Sequence, residues 1–92
     1  MCLCGMLAAE FGALPKAMQV GVRGFLDDNE GWLADVLELG RSRGEIQFAE
    51  SSVERAETVF STLEGAMLSA RVARDTSKFD HIVDVLLGSL GA

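Results

Sequence analysis

Residues 52–74, "SVERAETVFSTLEGAMLSARVAR", decide the fold class because they contain the clearest helical pattern in the chain. Apolar residues recur there at alternating steps of three and four, the spacing of one face of an α-helix. They are Val53, Ala56, Phe60, Leu63, Met67 and Ala70. Ser51 and Glu54 have the spacing of a capping box, so we expect this helix to begin there. A second side of the helix consists mostly of small residues, which let another helix approach closely: Thr62, Gly65, Ala66, Ser69 and Ala73.

Three further helices are predicted by the same periodicity, and no stretch has the sustained period of two that is typical of a strand. The first covers about residues 2–11, stops near Gly12 as a left-handed cap, and is apolar on most sides. The second begins at Pro15, which suits the first helical position, and ends at Gly44. The fourth begins at Ser77, with Asp80 completing its cap. We therefore predict an all-α fold of four helices.

The fourth helix has more apolar surface than one neighbouring helix covers. Its main stripe consists of Phe79, Ile82, Val83, Leu86 and Leu90. Val85 and Leu87 extend the apolar surface to other sides. A terminal helix usually needs one apolar face, so we expect the last two helices to form an intermolecular four-helix bundle.

Length and composition favour a chain that is covered by other protein. The 92 residues form one domain or part of one, and 49% of them are hydrophobic. A chain of this size buries only about 60–65% of its extended surface when it folds. We therefore expect a second chain, or further segments, to cover part of the surface.

The charge of the chain argues against nucleic acid and membrane as direct partners. The formal charge is −6 and the basic residues are dispersed, whereas contact with phosphates requires a basic footprint. No uninterrupted apolar run approaches the roughly 20 residues of a membrane helix. We expect a cytoplasmic location, where Cys2 and Cys4 would be reduced thiols.

The sequence contains no convincing catalytic or metal-binding set. Residues two apart on a helix project about 200° apart, so Cys2 and Cys4 favour packing thiols over a redox or zinc site. His81 is the sole histidine, and its acidic neighbours Asp80 and Asp84 fit a solvated cap as well as a catalytic pair. There is neither a nucleophile elbow nor a phosphate loop. We expect no cofactor and no enzymatic activity.

Polar or small positions in the second helix leave alternatives open. Asn29 falls within the apolar stripe, so it is either a pocket or interface amide or, as we favour, an ordinary satisfied amide or a local bend. Gly21, Gly24 and Gly31 group on one flank of that stripe, which indicates either close approach of another helix or a kink. After this helix, Ile46 and Phe48 are expected to anchor the connecting loop to the core.

Three segments carry a family resemblance. They are "CLCGMLAAEFGALP" (2–15), "FLDDNEGWLADVLELGRSRGEIQF" (25–48) and "TLEGAMLSARVARD" (62–75). Together, and in this order, they resemble the carboxy-terminal regulatory domain of TetR-family transcriptional regulators. In that family an amino-terminal helix-turn-helix module binds operator DNA, and an all-helical carboxy-terminal domain binds effectors and dimerises. No such module precedes "MCLCGM" in this sequence, so residues 1–92 are expected to be a partial regulatory domain without a DNA-binding domain.

The resemblance implies two sites. The family's last two helices pair with their counterparts across a twofold axis, which implies a homodimer surface made of Thr62, Gly65, Ala66, Ser69, Ile82, Val85, Leu86 and Ser89. The family's effector cavity lies among its middle helices. The residues that would form its remaining wall for a small-molecule effector are Phe25, Met67 and Arg71.

Three functions are compared on this basis. The first is the dimerisation and effector-binding portion of a TetR-like repressor, unable to bind DNA by itself. The second is a stand-alone helical protein-interaction module. The third, an enzyme built around His81, is the weakest because no convergent catalytic set is visible.

Overall fold

The computed structural model describes residues 3–91, with the side chains of residues 6–91, and within them the chain forms four α-helices and no strand. The helices are α1 (Leu3–Ala9), α2 (Lys16–Ser42), α3 (Ser52–Ala73) and α4 (Thr76–Gly88). A 3₁₀ turn at Phe11–Ala13 lies between α1 and α2. The all-α prediction is confirmed. Cys2 lies outside the described residues, as does the side chain of Cys4, so their predicted role as packing thiols stays a prediction.

Local capping residues set the ends of α2 and α3. Ser51 Oγ accepts a hydrogen bond from the Glu54 amide at 3.1 Å and donates one to Glu54 Oε1 at 2.9 Å, so the predicted capping box is confirmed. Gly44, the predicted end of α2, has a φ of 73°, the left-handed conformation of a helix cap. The left-handed cap predicted at Gly12 was wrong, because Gly12 lies within the 3₁₀ turn Phe11–Ala13 and outside the left-handed region. Pro15, predicted as the first helical residue, is the N-cap of α2 instead. The helix therefore begins at Lys16, one residue later than predicted.

The start of α4 differs from the prediction. Arg74 caps α3 in the left-handed region, with a φ of 53°, and leaves Asp75 extended. An extended residue with a carboxylate is a suitable N-cap, and Asp75 Oδ1 accepts from the Ser77 amide at 3.0 Å. The predicted cap at Ser77 and Asp80 was therefore wrong, and Asp75 is the residue that caps α4.

α3 is the middle helix and packs against α2 on one side and α4 on the other, whereas α1 packs on α2. The core cluster lies near the start of α3 and contains few residues. It consists of Ala34, Leu37, Ala56 and Leu90, with Leu33, Ile46 and Phe48 packed against it. Ile46 and Phe48 come from the α2–α3 loop, so their predicted anchoring role is confirmed.

The buried face of α3 is rotated from the predicted stripe. Val53 is 60% exposed, while Val59, which the stripe omitted, is 7% exposed. The buried positions also include Ser52, Ala56 and Ala66. Because α3 contacts helices on two sides, its buried surface is centred between them, and Val53 falls on an outer flank.

The four helices form a flat arrangement. The principal extents of the chain are 43, 31 and 15 Å. An α-helix with its side chains is about 10–12 Å across, so the chain is thin in its shortest direction. In the described part of the chain, no helix is both long and apolar enough to cross a membrane.

Candidate functional site

A groove of about 340 Å³ runs between α3 and α4. Its lining residues are Thr62 from α3 and His81, Ile82, Val85, Leu86 and Ser89 from α4 and its C-cap. All of them except His81 were predicted for the dimer surface. The structure therefore brings these five residues together on one side of the chain.

The apolar side chains of the groove are incompletely covered by the chain itself. Val85 is 74% exposed, and Ile82 and Leu86 are half-buried. Ile82, Val85 and Leu86 therefore form a small contiguous apolar surface in the groove.

The remaining predicted dimer residues lie on α3. Gly65 is exposed and Ser69 is half-buried. Ala66 is 2% exposed and faces the interior of its own chain, so, contrary to the sequence prediction, it has almost no surface to offer a second chain. Val72, which the sequence reasoning did not include, is 79% exposed and continues the row three residues beyond Ser69. The spacing of three and four along that row was the signal that could have found it.

His81 is an exposed residue that lines the groove, and its electrostatic effect reaches the N-cap of α4. The pKa of Asp75 is lowered chiefly by hydrogen bonds from Ser77, and His81 adds a smaller favourable charge effect. Among the described residues, no group of three or more histidines, cysteines, aspartates and glutamates is placed to hold a metal ion.

The predicted effector residues lie away from the groove. Phe25 is 52% exposed on α2, and on α3 Met67 is half-buried while Arg71 is exposed. Met67 lies about 140° around α3 from Thr62 and shares its flank with Arg71, one turn further on. None of these three residues lines the groove. The groove is therefore distinct from Phe25 on α2 and from Met67 and Arg71 on α3.

Phe25 belongs to an uncovered apolar row on α2. Met18, Phe25, Trp32 and Leu39 follow one another at intervals of seven and are 46–66% exposed. A Cβ built on Gly21, Gly24 or Gly31 would meet no atom within 4 Å, so none of the described residues packs closely there. The close approach of another helix, one of the two explanations expected for these glycines, is not supplied by the described part of the chain.

Asn29 has an ordinary local explanation. Its Nδ2 donates to the Phe25 carbonyl at 2.7 Å, one turn earlier in α2. The favoured alternative, an amide satisfied by a local partner, is confirmed, and no pocket is needed to explain it.

Comparison with known proteins agrees with this architecture. The sequence matches the family described as tetracyclin repressor-like, C-terminal domain, over residues 1–86. No curated protein matches it. Among solved structures, the crystal structure of E. coli NemR in its reduced form matches with a TM-score of 0.87 at 22% identity. The match covers 92% of this chain and 46% of that chain, so the chain spans about half the length of NemR and shares the fold of that half.

Proposed function

Because the chain belongs to the family of tetracyclin repressor-like C-terminal domains, we propose that it is the dimerisation and effector-binding portion of a cytoplasmic transcriptional repressor. With a net charge of −6, the chain does not contact operator DNA itself, since DNA phosphates attract basic surfaces. A separate domain of the repressor binds the operator. An effector regulates the repressor by favouring one arrangement of the two subunits, and the chain is not an enzyme.

The thin shape supports a homodimer. The shortest extent of this chain is 15 Å, whereas its longest is 43 Å. A second copy on the α3–α4 side makes the assembly more compact and removes apolar surface from water.

The surface area supports the same proposal. The chain exposes 6200 Å², whereas a folded monomer of 9.8 kDa exposes about 5,200 Å². Its radius of gyration is 14.8 Å, compared with about 12 Å for a compact domain of this length. The excess surface of about 1,000 Å² is close to the roughly 800 Å² that each partner buries in a standard interface.

The groove is the observation that carries the dimer proposal. It gathers Thr62, Ile82, Val85, Leu86 and Ser89 on one open surface. In a twofold contact each patch meets its own copy, so α3 and α4 of both subunits form a four-helix bundle. Val72 extends the surface along α3, and Gly65 and Ser69 allow the helices to approach closely.

Size-exclusion chromatography with light scattering tests this proposal on the wild-type chain and on Val85→Glu. We expect a dimer for the wild type at micromolar concentration. In the dimer of Val85→Glu, an unpaired charge is buried in the contact between the two copies, which costs several kcal/mol. About 1.4 kcal/mol corresponds to a tenfold change in Kd. The dimer Kd should therefore rise by about two orders of magnitude.

The matched control is Val53→Glu, which places the same charge on an exposed valine at the opposite side of α3 from Thr62. This variant should dimerise as the wild type does. A monomeric wild type, or equal effects of the two substitutions, would contradict the proposed dimer surface.

Phe25, Met67 and Arg71 support an effector that is apolar and carries an anionic group. The ring of Phe25 offers apolar contact area, Met67 adapts to irregular shapes, and the guanidinium of Arg71 can pair with an anion. Because the chain spans about half the length of NemR, we propose that these residues form one wall of the effector site.

Titration with anilinonaphthalene sulfonate, an apolar anionic probe, tests this wall. Phe25→Ala and Arg71→Met should each weaken probe binding, whereas Val53→Ala should leave it unchanged. Val85→Glu, used in parallel, separates probe bound in the groove from probe bound near Phe25. Unchanged binding in both Phe25→Ala and Arg71→Met would exclude these residues from the site.

The alternative function, a stand-alone helical protein-interaction module, is favoured by the uncovered row on α2. Trp32 is the sole tryptophan and lies in that row, 66% exposed. If the chain dimerises through α3 and α4, the emission maximum of Trp32 should not change with protein concentration. A concentration-dependent blue shift would show association through α2 and would favour the alternative.

A further inference from the structure

Arg55 links the beginning of α3 to the end of α4. Its side chain is 13% exposed although it is charged. Arg55 Nη1 donates to Ser89 Oγ at 3.0 Å, across 34 residues of sequence. Ser89 is the C-cap of α4 and one of the groove residues. A guanidinium in the first turns of α3 therefore touches the proposed dimer surface from within the chain.

The contact with Ser89 reaches the groove through a second hydrogen bond. Ser89 Oγ donates to the Leu86 carbonyl at 2.6 Å. The Leu86 carbonyl also accepts from the Ser89 amide at 3.2 Å, so the side-chain bond adds to the backbone bonds that close the last turn of α4. Leu86 also lines the groove. The two hydrogen bonds that link Arg55, Ser89 and Leu86 thus hold the last turn of α4, which forms one end of the proposed dimer surface.

The other donors of Arg55 are fixed on the opposite side. Its Nε and Nη2 donate to Glu50 Oε1 at 3.0 and 2.8 Å. This contact lowers the pKa of Glu50, so the carboxylate remains charged and the ion pair persists at neutral pH. Arg55 therefore reaches Ser89 from a fixed point on the α2–α3 loop.

The ring of Phe48 lies beside the guanidinium group. Arg55 Cζ lies 5.5 Å from the ring centroid, and Arg41 Cζ lies 4.3 Å from the same centroid. Arg41 Nη1 also donates to the Glu50 carbonyl at 2.9 Å. Because three of its donors are engaged by Glu50 and Ser89, rotation of the Arg55 side chain would break several hydrogen bonds at once.

We propose that Arg55 is a positioning residue of the α3–α4 dimer surface, an inference that rests on the proposed function. It holds Ser89, and through Ser89 the last turn of α4, in the geometry that a second copy of the chain meets. Arg55 uses three nitrogens for these contacts, Nε and Nη2 toward Glu50 and Nη1 toward Ser89, whereas a lysine has a single nitrogen. Arg55→Lys should therefore keep the charge and weaken the contact with Ser89.

Sedimentation equilibrium of the wild type, Ser89→Ala, Arg55→Lys and the control Arg23→Met tests the proposal. Ser89→Ala removes one side chain of the link and leaves the ion pair with Glu50 in place, so the variant should fold. A hydrogen bond to a charged group is worth enough to change an equilibrium about tenfold, so the dimer Kd should rise about tenfold in Ser89→Ala and Arg55→Lys. Arg23→Met, an exposed site on α2, should retain the wild-type Kd.

Hydrogen exchange at the amides of Leu90 and Gln47 supplies a readout within the single chain. The Leu90 amide donates to the Leu87 carbonyl at the end of α4, and the Gln47 amide donates to the Leu90 carbonyl. They should exchange faster in Arg55→Lys and Ser89→Ala, while amides in the middle of α3 should exchange as in the wild type.

The outcomes separate the two proposals. A dimeric wild type with an unchanged Kd in Ser89→Ala or in Arg55→Lys would overturn the positioning role and leave the dimer surface standing. Unchanged exchange at both amides would also overturn it. A wild type that stays monomeric would overturn the dimer surface, and the positioning role with it.

Discussion

The backbone amide of Gln47 donates a hydrogen bond to the carbonyl of Leu90 across 2.9 Å. This bond joins the α2–α3 loop to the residue that follows the cap of α4. The side chain of Leu90 is 7% exposed and belongs to the core cluster. The end of α4 is thus held by main-chain and side-chain contacts to the start of α3, and the core cluster at this point decides the stability of the chain.

Leu37→Ala should destabilise the chain by about 2–5 kcal/mol, because it leaves a cavity in the core cluster. Leu37 is 5% exposed, whereas Leu39, two residues later in α2, is 51% exposed. Leu39→Ala should cost much less. Urea unfolding followed by circular dichroism, at one protein concentration, compares the two. Equal losses would contradict the assignment of the core.

Ser51→Ala should destabilise the chain by about 1 kcal/mol, because the Glu54 amide loses its acceptor at the start of α3. Ser61→Ala, at an exposed position in the middle of the same helix, should be neutral or slightly stabilising, since alanine is the better helix former. Thermal unfolding of the two variants gives the comparison. A Ser61→Ala variant less stable than Ser51→Ala would exclude Ser51 as the cap.

Arg74→Gly should stabilise the chain by about 0.5–1 kcal/mol, because Arg74 has a left-handed backbone that glycine adopts without strain. Arg71→Gly, three residues earlier within α3, should instead cost about 1 kcal/mol. The two substitutions remove the same side chain within one helical turn, and only their backbone conformations differ. If both substitutions shifted the denaturant midpoint in the same direction relative to the wild type, this account of the end of α3 would be contradicted.

Glu38 and Glu50 should make the chain sensitive to acid. Hydrogen bonds from Ser52 and then Arg41 lower the pKa of Glu38, and Arg55 lowers the pKa of Glu50. A lowered folded-state pKa stabilises the folded chain above the ordinary glutamate value of about 4.3, and this stability is lost as the pH falls through the lower value. The melting temperature of the wild type should therefore fall between about pH 5 and pH 3.

The variant Glu50→Gln isolates one of these groups. It should be less stable than the wild type at neutral pH and should lose less stability on acidification. Glu57→Gln, an exposed site on α3, is the control. A decline in Glu50→Gln as steep as in the wild type would show that Glu50 does not contribute.

The helices, the cap of α3 and the end of α2 could be predicted because their signals are local. Ser51 with Glu54 and the glycine at position 44 act on adjacent backbone, so their effect does not depend on the rest of the fold. The cap of α4 was missed because it follows from the left-handed conformation of Arg74. Nothing in the identity of an arginine indicates that conformation.

The orientation of α3 and the contacts of Arg55 could not be predicted from periodicity. Exposure of Val53 and burial of Val59 depend on which two helices pack against α3, which is a property of the whole chain. The bond from Arg55 to Ser89 joins residues far apart in sequence. The residues of the groove other than His81 were predicted from helical spacing and family resemblance. Their role as a dimer surface stays a prediction.

The most direct test of the dimer surface is an isotope-filtered nuclear Overhauser experiment on a mixture of labelled and unlabelled chains. It detects contacts between copies and assigns them to named methyl groups. We predict intermolecular contacts from the methyl groups of Ile82, Val85 and Leu86. Intermolecular contacts confined to α2 methyl groups such as those of Val36 and Leu39, or none at millimolar concentration, would contradict the account.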